Sequence, residues 1–305
     1  MLEIEGLSGV LVALASPLHR DGGVDESGVR RLVEHVIGGG VHGLLPLGST
    51  GETAALDEGS RRRILAAVVE TCNRRVPVIC GVAQSGLAAA EVEVEAADHL
   101  GADAVLVAPP FYYPMDQAGV AAFYRQIADR ARLPVLVYNI PQFTKVVVEA
   151  QTVAQLAREG AVRGIKDSSR DFEYFEGVCI ATREIGGFRV FTGSDTMLVA
   201  SLAVGGAGTI CGAGNIAPDW VVRIYDEFMR GDLPAARVSQ DMLYRLVMAL
   251  RGDIFPSAIK AALHLQGICE PWLAPPAQRL GEKHEARLRE QLAQWGLLTP
   301  ERSRN

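Results

Sequence analysis

Cysteine is sparse and unpatterned in this 305-residue chain, which has five (Cys72, Cys80, Cys179, Cys211 and Cys269) and no CxxC pair. An odd, scattered set excludes a disulfide framework and a cysteine-based zinc site, and fits a reducing compartment. Histidine is nearly as scarce: six residues, none in the HExxH spacing of a zinc hydrolase. Basic charge is not in excess, with 30 Lys and Arg against 36 Asp and Glu and a formal net charge of -6. The one dense basic triplet, Arg61-Arg62-Arg63, falls early in a helical pattern and reads as a solvated face, which leaves no nucleic-acid footprint. No apolar run reaches the roughly 18 residues of a bilayer span, and no basic-then-apolar leader opens the chain. A cytoplasmic protein with neither membrane nor nucleic-acid partner is expected. Also missing are a GxGxxG after the first apolar run and a Gly-Lys-Ser/Thr P-loop, so nucleotide-binding α/β folds are disfavoured.

What is present is an ordinary globular composition, 49% hydrophobic and 22% charged. Eight short β-like runs recur, at 9–14, 43–47, 77–82, 104–108, 134–138, 162–166, 189–192 and 208–211. They start about 20 to 35 residues apart, the length of one βα unit. The runs are continuously apolar rather than alternating, as strands covered on both faces are. Helical spacing fills the gaps. Asp25 or Ser27 caps the first helix ahead of Val29, Leu32, Val33 and Val36, and Asp57 caps the second. A third covers 87–100 and stops at Gly101, a fourth covers 117–131 before Pro134, and Gly160 and Gly186 close two more. From Pro218 the pattern is helical only, over 220–230, 234–250, 256–265 and 282–295. These features predict an α/β fold, a (β/α)8 TIM barrel over 1–217 with a C-terminal helical extension over 218–305.

In such barrels the chemistry is carried at the C-terminal ends of the strands. Lys166 ends the sixth run after Gly164-Ile165, where the barrel interior would enclose it. A lysine rarely goes there unless paired or functional. Desolvation favours the neutral amine, a nucleophile towards carbonyls. The alternative is a structural ion pair with Asp167 or Asp195. Tyr138 ends the fifth run, and its phenol can shuttle protons, although alone it reads more readily as a core tyrosine with its hydroxyl satisfied. In Gly48-Ser49-Thr50-Gly51-Glu52, backbone amides can hold a carboxylate and the hydroxyls can extend a proton relay, while a plain loop remains the other reading. Together the lysine, phenol, hydroxyls and amides make up a Schiff-base lyase site with no metal and no cofactor beyond the imine with substrate.

Three motifs carry a resemblance: Gly48-Ser49-Thr50-Gly51-Glu52, Tyr138-Asn139-Ile140-Pro141 and Gly164-Ile165-Lys166-Asp167-Ser168. Their order and spacing, with the Gly-rich stretch 205–215, make the chain similar to the dihydrodipicolinate synthase / N-acetylneuraminate lyase family over nearly its whole length. The resemblance implies Lys166 as the Schiff-base lysine and Tyr138 as the proton-transferring tyrosine. It implies Ser49 and Thr50 as the pair binding the pyruvate carboxylate. Tyr112, or its neighbour Tyr113, is implied to reach into the neighbouring subunit's site, within a homotetramer built as a dimer of dimers.

Departures from the family pattern shape the substrate expectation. Dihydrodipicolinate synthases carry an arginine two residues after the proline of Tyr-Asn-x-Pro, for the carboxylate of aspartate semialdehyde. This chain has Phe143 there, which makes no bidentate contact with a carboxylate. Sialic-acid lyases place an acidic residue where Thr196 stands and a serine where Gly212 stands. The expected substrate is therefore a 4-hydroxy-2-oxo acid such as a 2-oxo-3-deoxy sugar acid, split into pyruvate and an aldehyde, with Ser168, Asp195, Thr196, Ile210 and Phe143 as further contacts. Dehydration through the same imine, and 4-hydroxy-tetrahydrodipicolinate synthesis, stand as alternatives. A metal-dependent aldolase would need His, Asp or Glu ligands at strand ends, and no histidine occurs there. A non-catalytic 2-oxo acid binder would be expected to lack the lysine or the tyrosine.

Overall fold

A computed structural model describes residues 6–251 and 254–298. Eight parallel strands run in chain order: β1 (Gly9–Ala13), β2 (Gly43–Leu45), β3 (Ile79–Val82), β4 (Ala104–Val107), β5 (Val135–Asn139), β6 (Gly164–Asp167), β7 (Arg189–Thr192) and β8 (Gly208–Cys211). Each pairs with its sequence neighbours, and β1 also pairs with β8. The remaining seam, between β2 and β3, is joined by a Leu44–Val78 bridge. There the Leu44 amide donates to the Pro77 carbonyl and the Gly81 amide to that of Pro46, both at 2.9 Å. The sheet is thus a (β/α)8 barrel, as the spacing predicts.

The β2 strand is shorter than the run at 43–47 because Pro46 lacks an amide donor and Leu47 turns left-handed at φ 61°. Ahead of β3, Val78 forms the bridge that closes the barrel while its amide donates to the Asp103 carboxylate, and regular pairing starts at Ile79.

Helices alternate with the strands: α1 (Glu26–Gly38), α2 (Glu58–Cys72), α3 (Leu87–His99), α4 (Gln117–Arg130), α5 (Pro141–Thr144), α6 (Ala150–Arg158), α7 (Phe172–Thr182), α8 (Leu198–Ala203) and α9 (Pro218–Met229). Then follow α10 (Leu233–Ala249), α11 (Ser257–Leu265) and α12 (Glu282–Gln294). Aspartates cap several of them. Asp25, rather than Ser27, accepts from the Gly28 amide at 2.8 Å, and Asp57 accepts from the Ser60 amide at 2.7 Å. Each such cap stabilises its helix by about 1 kcal/mol. Gly160 closes α6 at φ 76°, but α7 ends at Thr182, and the left-handed residue before β7 is Gly187, not Gly186. The first helix of the all-helical stretch, α9, packs on β1 and α8, while α11 packs on the turn 213–215 after β8.

Strand alternation separates two apolar layers. Val10, Val12, Val105, Val137 and Ile165 face the helices, against residues such as Leu32, Leu65, Tyr124 and Phe175. Leu11, Leu45, Ile79, Leu106, Leu136, Phe191 and Ile210 fill the barrel interior. The C-terminal rim is tied across the β1–β8 seam by the fully buried Asn215. Its amide nitrogen donates to the Ala13 carbonyl at 2.8 Å, and its oxygen accepts from the Ala15 amide at 3.0 Å.

Candidate active site

Lys166 lies on the inner face of β6, one residue from the strand's C-terminal end. Its ladder partners are Tyr138 on β5 and Phe191 on β7, both on the interior side. The residue is 4% exposed, and its Nζ lies 4.7 Å from the centroid of the Tyr138 ring. Among the described residues Lys166 forms no salt bridge. The Asp167 carboxylate turns to the other face of the sheet. There it accepts from Asn139 Nδ2 at 2.8 Å, from the Ser169 amide at 3.0 Å and from Ser169 Oγ at 2.9 Å. Burial raises the Asp167 pKa, and these hydrogen bonds pull it partly back. Asp195 accepts from the Ala213 amide at 2.9 Å; burial raises its pKa, while that hydrogen bond and the Lys166 charge oppose the rise. The structural ion pair considered for Lys166 is therefore not formed. An amine enclosed without a carboxylate partner is placed as a carbonyl-attacking nucleophile must be.

Tyr138, 5% exposed, has its hydroxyl 3.3 Å from Ser49 Oγ. Ser49 belongs to a turn bracketed by two left-handed residues, Leu47 at φ 61° and Glu52 at φ 57°. The Gly51 amide donates to the Gly48 carbonyl at 3.0 Å and the Glu52 amide to that of Ser49 at 3.1 Å. This consumes the later amides of the turn. Among the described residues, the amides of Ser49 and Thr50 donate to no protein acceptor, which suits a carboxylate. Close packing fixes the turn, since a Cβ on Gly81 would stand 2.3 Å from the Leu47 carbonyl oxygen.

Beneath the turn lies a pair that the sequence reading missed. Lys260, fully buried on α11, donates to Glu52 Oε1 at 3.2 Å and also to the Ser16 carbonyl. Glu52 Oε2 accepts from the Ala274 amide at 2.7 Å. The available signal was one lysine in the mostly apolar helix Ser257–Leu265, with Ala258, Ile259, Ala261, Ala262 and Leu263 around it. Asn139 was missed as well. It is fully buried, holds Asp167 through Nδ2, and accepts the Val148 amide at 3.1 Å.

Two cavities open at this rim. One of about 460 Å³ is mostly apolar, with Val82, Ala108, Phe111, Ile140 and Phe143 in its wall and Ser49 and Tyr138 on one side. The other, about 240 Å³, is lined by Gly193, Ser194, Asp195 and Gly212 among others. Phe255 walls both; Lys166 lines neither, but it lies beside Tyr138, which lines the larger, and Gly193, which lines the smaller.

The other expected contacts scatter. Ser168 is buried against Gly193. Ile210 is sealed in the barrel interior, and Thr196 lines neither cavity, pairing instead with Ser194 at 3.3 Å. Phe143 is 54% exposed and packs towards Phe255 with ring centroids 6.1 Å apart. Tyr112 is 83% exposed at φ 85°, stacked edge-on with Tyr113 and away from the Tyr138 cluster. All five cysteines are buried and free, and burial raises Cys80 to about 12 and Cys179 to about 11. Thiols held so far from ionisation are poor competitors for a carbonyl. No helix among the described residues is long and apolar enough to cross a membrane.

A profile of the Dihydrodipicolinate synthetase family matches residues 6–295. An uncharacterized DapA-like lyase of Halobacterium salinarum is 35% identical over 293 residues, spanning 96% of this chain and 95% of that protein. A 4-hydroxy-tetrahydrodipicolinate synthase of Phenylobacterium zucineum is 36% identical over 292 residues, spanning 95% and 98%. Among solved structures, a prophage protein of the dihydrodipicolinic acid synthase family from E. coli K12, in complex with pyruvate, superposes with a TM-score of 0.92. It is 29% identical, with 96% of this chain and 99% of that one covered.

Proposed function

The chain belongs to the Dihydrodipicolinate synthetase family of pyruvate-dependent lyases, and we propose that within it this protein cleaves a 4-hydroxy-2-oxo acid, of the 2-oxo-3-deoxy sugar-acid type, into pyruvate and an aldehyde. The observation that carries the reading is the cross-strand pair of Lys166 and Tyr138, with Ser49 Oγ 3.3 Å from the phenol.

The substrate carboxylate sits on the amides of Ser49 and Thr50. Neutral Lys166 adds to the 2-oxo carbon, and the Tyr138 phenol gives its proton to the carbinolamine hydroxyl, which leaves as water as the protonated imine forms. Tyr138, as phenolate, takes the proton of the 4-hydroxyl. The C3–C4 electron pair moves into the iminium, the aldehyde departs and an enamine remains. The phenol returns its proton to C3, and water hydrolyses the imine to release pyruvate and the free amine. If the 4-hydroxyl leaves as water instead, the same imine supports dehydration. The imine does the electron-sink work for which other lyases use a cofactor.

Tyr112, exposed and held in the left-handed region, is proposed to complete the relay in a neighbouring subunit, in a homotetramer assembled as a dimer of dimers. A cytoplasmic location is part of the same proposal.

The relatives named 4-hydroxy-tetrahydrodipicolinate synthase favour a second reading, condensation of pyruvate with aspartate semialdehyde. The phenyl ring of Phe143 in the wall of the larger cavity speaks against it. A panel of 2-oxo-3-deoxy acids assayed for pyruvate release, beside pyruvate plus aspartate semialdehyde, separates the two. Pyruvate release from the deoxy acids is expected; consumption of the semialdehyde alone would reverse the order of the readings.

A further inference from the structure

The smaller cavity differs from the larger one in charge. The larger is apolar, and its one carboxylate, Glu52, is already paired with Lys260. The smaller is lined by Arg170, from the loop after β6, and Arg251, just past the end of α10. Some surface arginines elsewhere in the chain are paired, as Arg125 is with Glu159 at 2.8 Å and Arg75 with Glu34 at 2.7 Å, while others, such as Arg158 and Arg230, have no partner among the described residues but line neither cavity. Among the described residues, neither Arg170 nor Arg251 forms a salt bridge or a side-chain hydrogen bond. Two unpartnered guanidiniums at one concave surface make a fork for an oxyanion.

The backbone supports the same assignment. Arg170 is held at φ 65°, a left-handed conformation that a side-chain-bearing residue rarely adopts. The flanking turn imposes it: the Asp171 amide donates to Ser169 Oγ at 3.1 Å, and Ser169 Oγ donates to Asp167 at 2.9 Å. Strain of this kind persists where the surroundings over-determine it, and it concentrates at ligand clamps. Asp195 brings an acid into the same cavity, but one oxygen is taken by the Ala213 amide and burial raises its pKa, so it opposes an anion less than a free carboxylate would.

We propose that this second cavity binds an anionic group, carboxylate or phosphate, at the end of the substrate remote from its 2-oxo acid, held between Arg170 and Arg251. The proposal rests on the imine reading of Lys166. The substrate then lies bridged between two anion sites, its 2-oxo carboxylate on the turn 48–52 and its far end on the arginines.

Borohydride trapping tests this without knowledge of the aldehyde. 2-Oxoadipate and 2-oxohexanoate have equal chain lengths and differ in the distal carboxylate. Each is titrated while the reduced Lys166 adduct is followed by intact mass, with pyruvate run in parallel. Half-saturation at least about tenfold lower for 2-oxoadipate is expected, the effect of one charge-assisted contact. In Arg170→Met and Arg251→Met the ratio between the two acids should move towards one. Equal half-saturation in the native protein, or a ratio that both variants preserve, overturns the proposal while a pyruvate adduct leaves the imine reading standing. No pyruvate adduct overturns both. Pyruvate release from six-carbon 2-oxo-3-deoxy acids ending in carboxylate, phosphate or hydroxymethyl then distinguishes the two anions, and preference for the hydroxymethyl compound also counts against the site.

Discussion

Lys166 and Gly193 are fitted to each other: a Cβ built on Gly193 would stand 2.8 Å from Lys166 Cε and 2.0 Å from Ser168 Oγ. The chain leaving β7 therefore passes through a glycine that leaves room for the lysine chain to lie along the rim beside Tyr138. Phe191, two residues earlier on the same strand, supports the lysine from below as its ladder partner.

Gly193→Ala should accordingly displace the amine without touching its chemistry. Overpacking of this kind costs about 1–3 kcal/mol, which corresponds to about fivefold to 150-fold slower imine formation if the displacement falls on Lys166. The rate of pyruvate-dependent borohydride inactivation measures it, and an unchanged rate would show that the backbone relaxes away from the lysine.

Tyr138→Phe keeps the ring that packs 4.7 Å from Nζ and removes only the hydroxyl. Turnover should fall about 10²-fold or more, the usual contribution of a positioned acid–base group. A variant with near-native turnover would take Tyr138 out of the proton relay.

Phe143→Arg places a guanidinium in the wall of the larger cavity, where the ring is already half out in solvent. Use of aspartate semialdehyde should improve about tenfold or more, as expected for a new charge-assisted contact. Steady-state kinetics with both acceptors checks it; an unaltered preference would mean that acceptor choice is made elsewhere.

Lys260→Met leaves Glu52 buried without its cation, and breaking a buried pair from one side costs about 3–5 kcal/mol. Glu52→Gln combined with Lys260→Met removes both charges and should recover much of that loss. Urea unfolding of the two single variants and the double variant measures the coupling. Additive single effects would show that the two side chains stabilise the chain independently.

The pH dependence of stability should carry a signature of Asp167. Its folded pKa lies above the ordinary value of 3.8, so the folded state binds this proton more tightly than the unfolded chain. The contribution is therefore most favourable below 3.8 and is lost as pH rises through the raised folded value. Asp167→Asn should flatten that part of the profile in denaturant midpoints measured from about pH 4 upward. An identical slope in the variant would contradict the assignment.

The fold was largely readable from the primary structure because each βα unit declares itself locally. Continuous apolar runs, aspartate caps at Asp25 and Asp57, and left-handed glycines such as Gly101 and Gly160 all act within a few residues. Lys166 and Tyr138 were legible for a related reason, since in a barrel the ends of adjacent strands must meet. What stayed hidden depends on contacts far apart in the chain. Nothing near Lys260 announces Glu52, 208 positions away, and nothing near Arg170 announces Arg251, distant in the chain yet in the wall of the same cavity. Thr196 was nominated by motif position, but the turn that carries it directs its hydroxyl to Ser194.

The brace from α11 to the turn that follows β2 makes the last third of the chain a support for the turn proposed to hold the substrate carboxylate rather than a covering laid over it. Deleting α11 would strip Glu52 of its cation, and deleting the segment around Ala274 would remove the amide that holds its other oxygen. Shortened chains that still form eight strands should therefore keep the lysine yet lose their grip on the carboxylate of any 2-oxo acid.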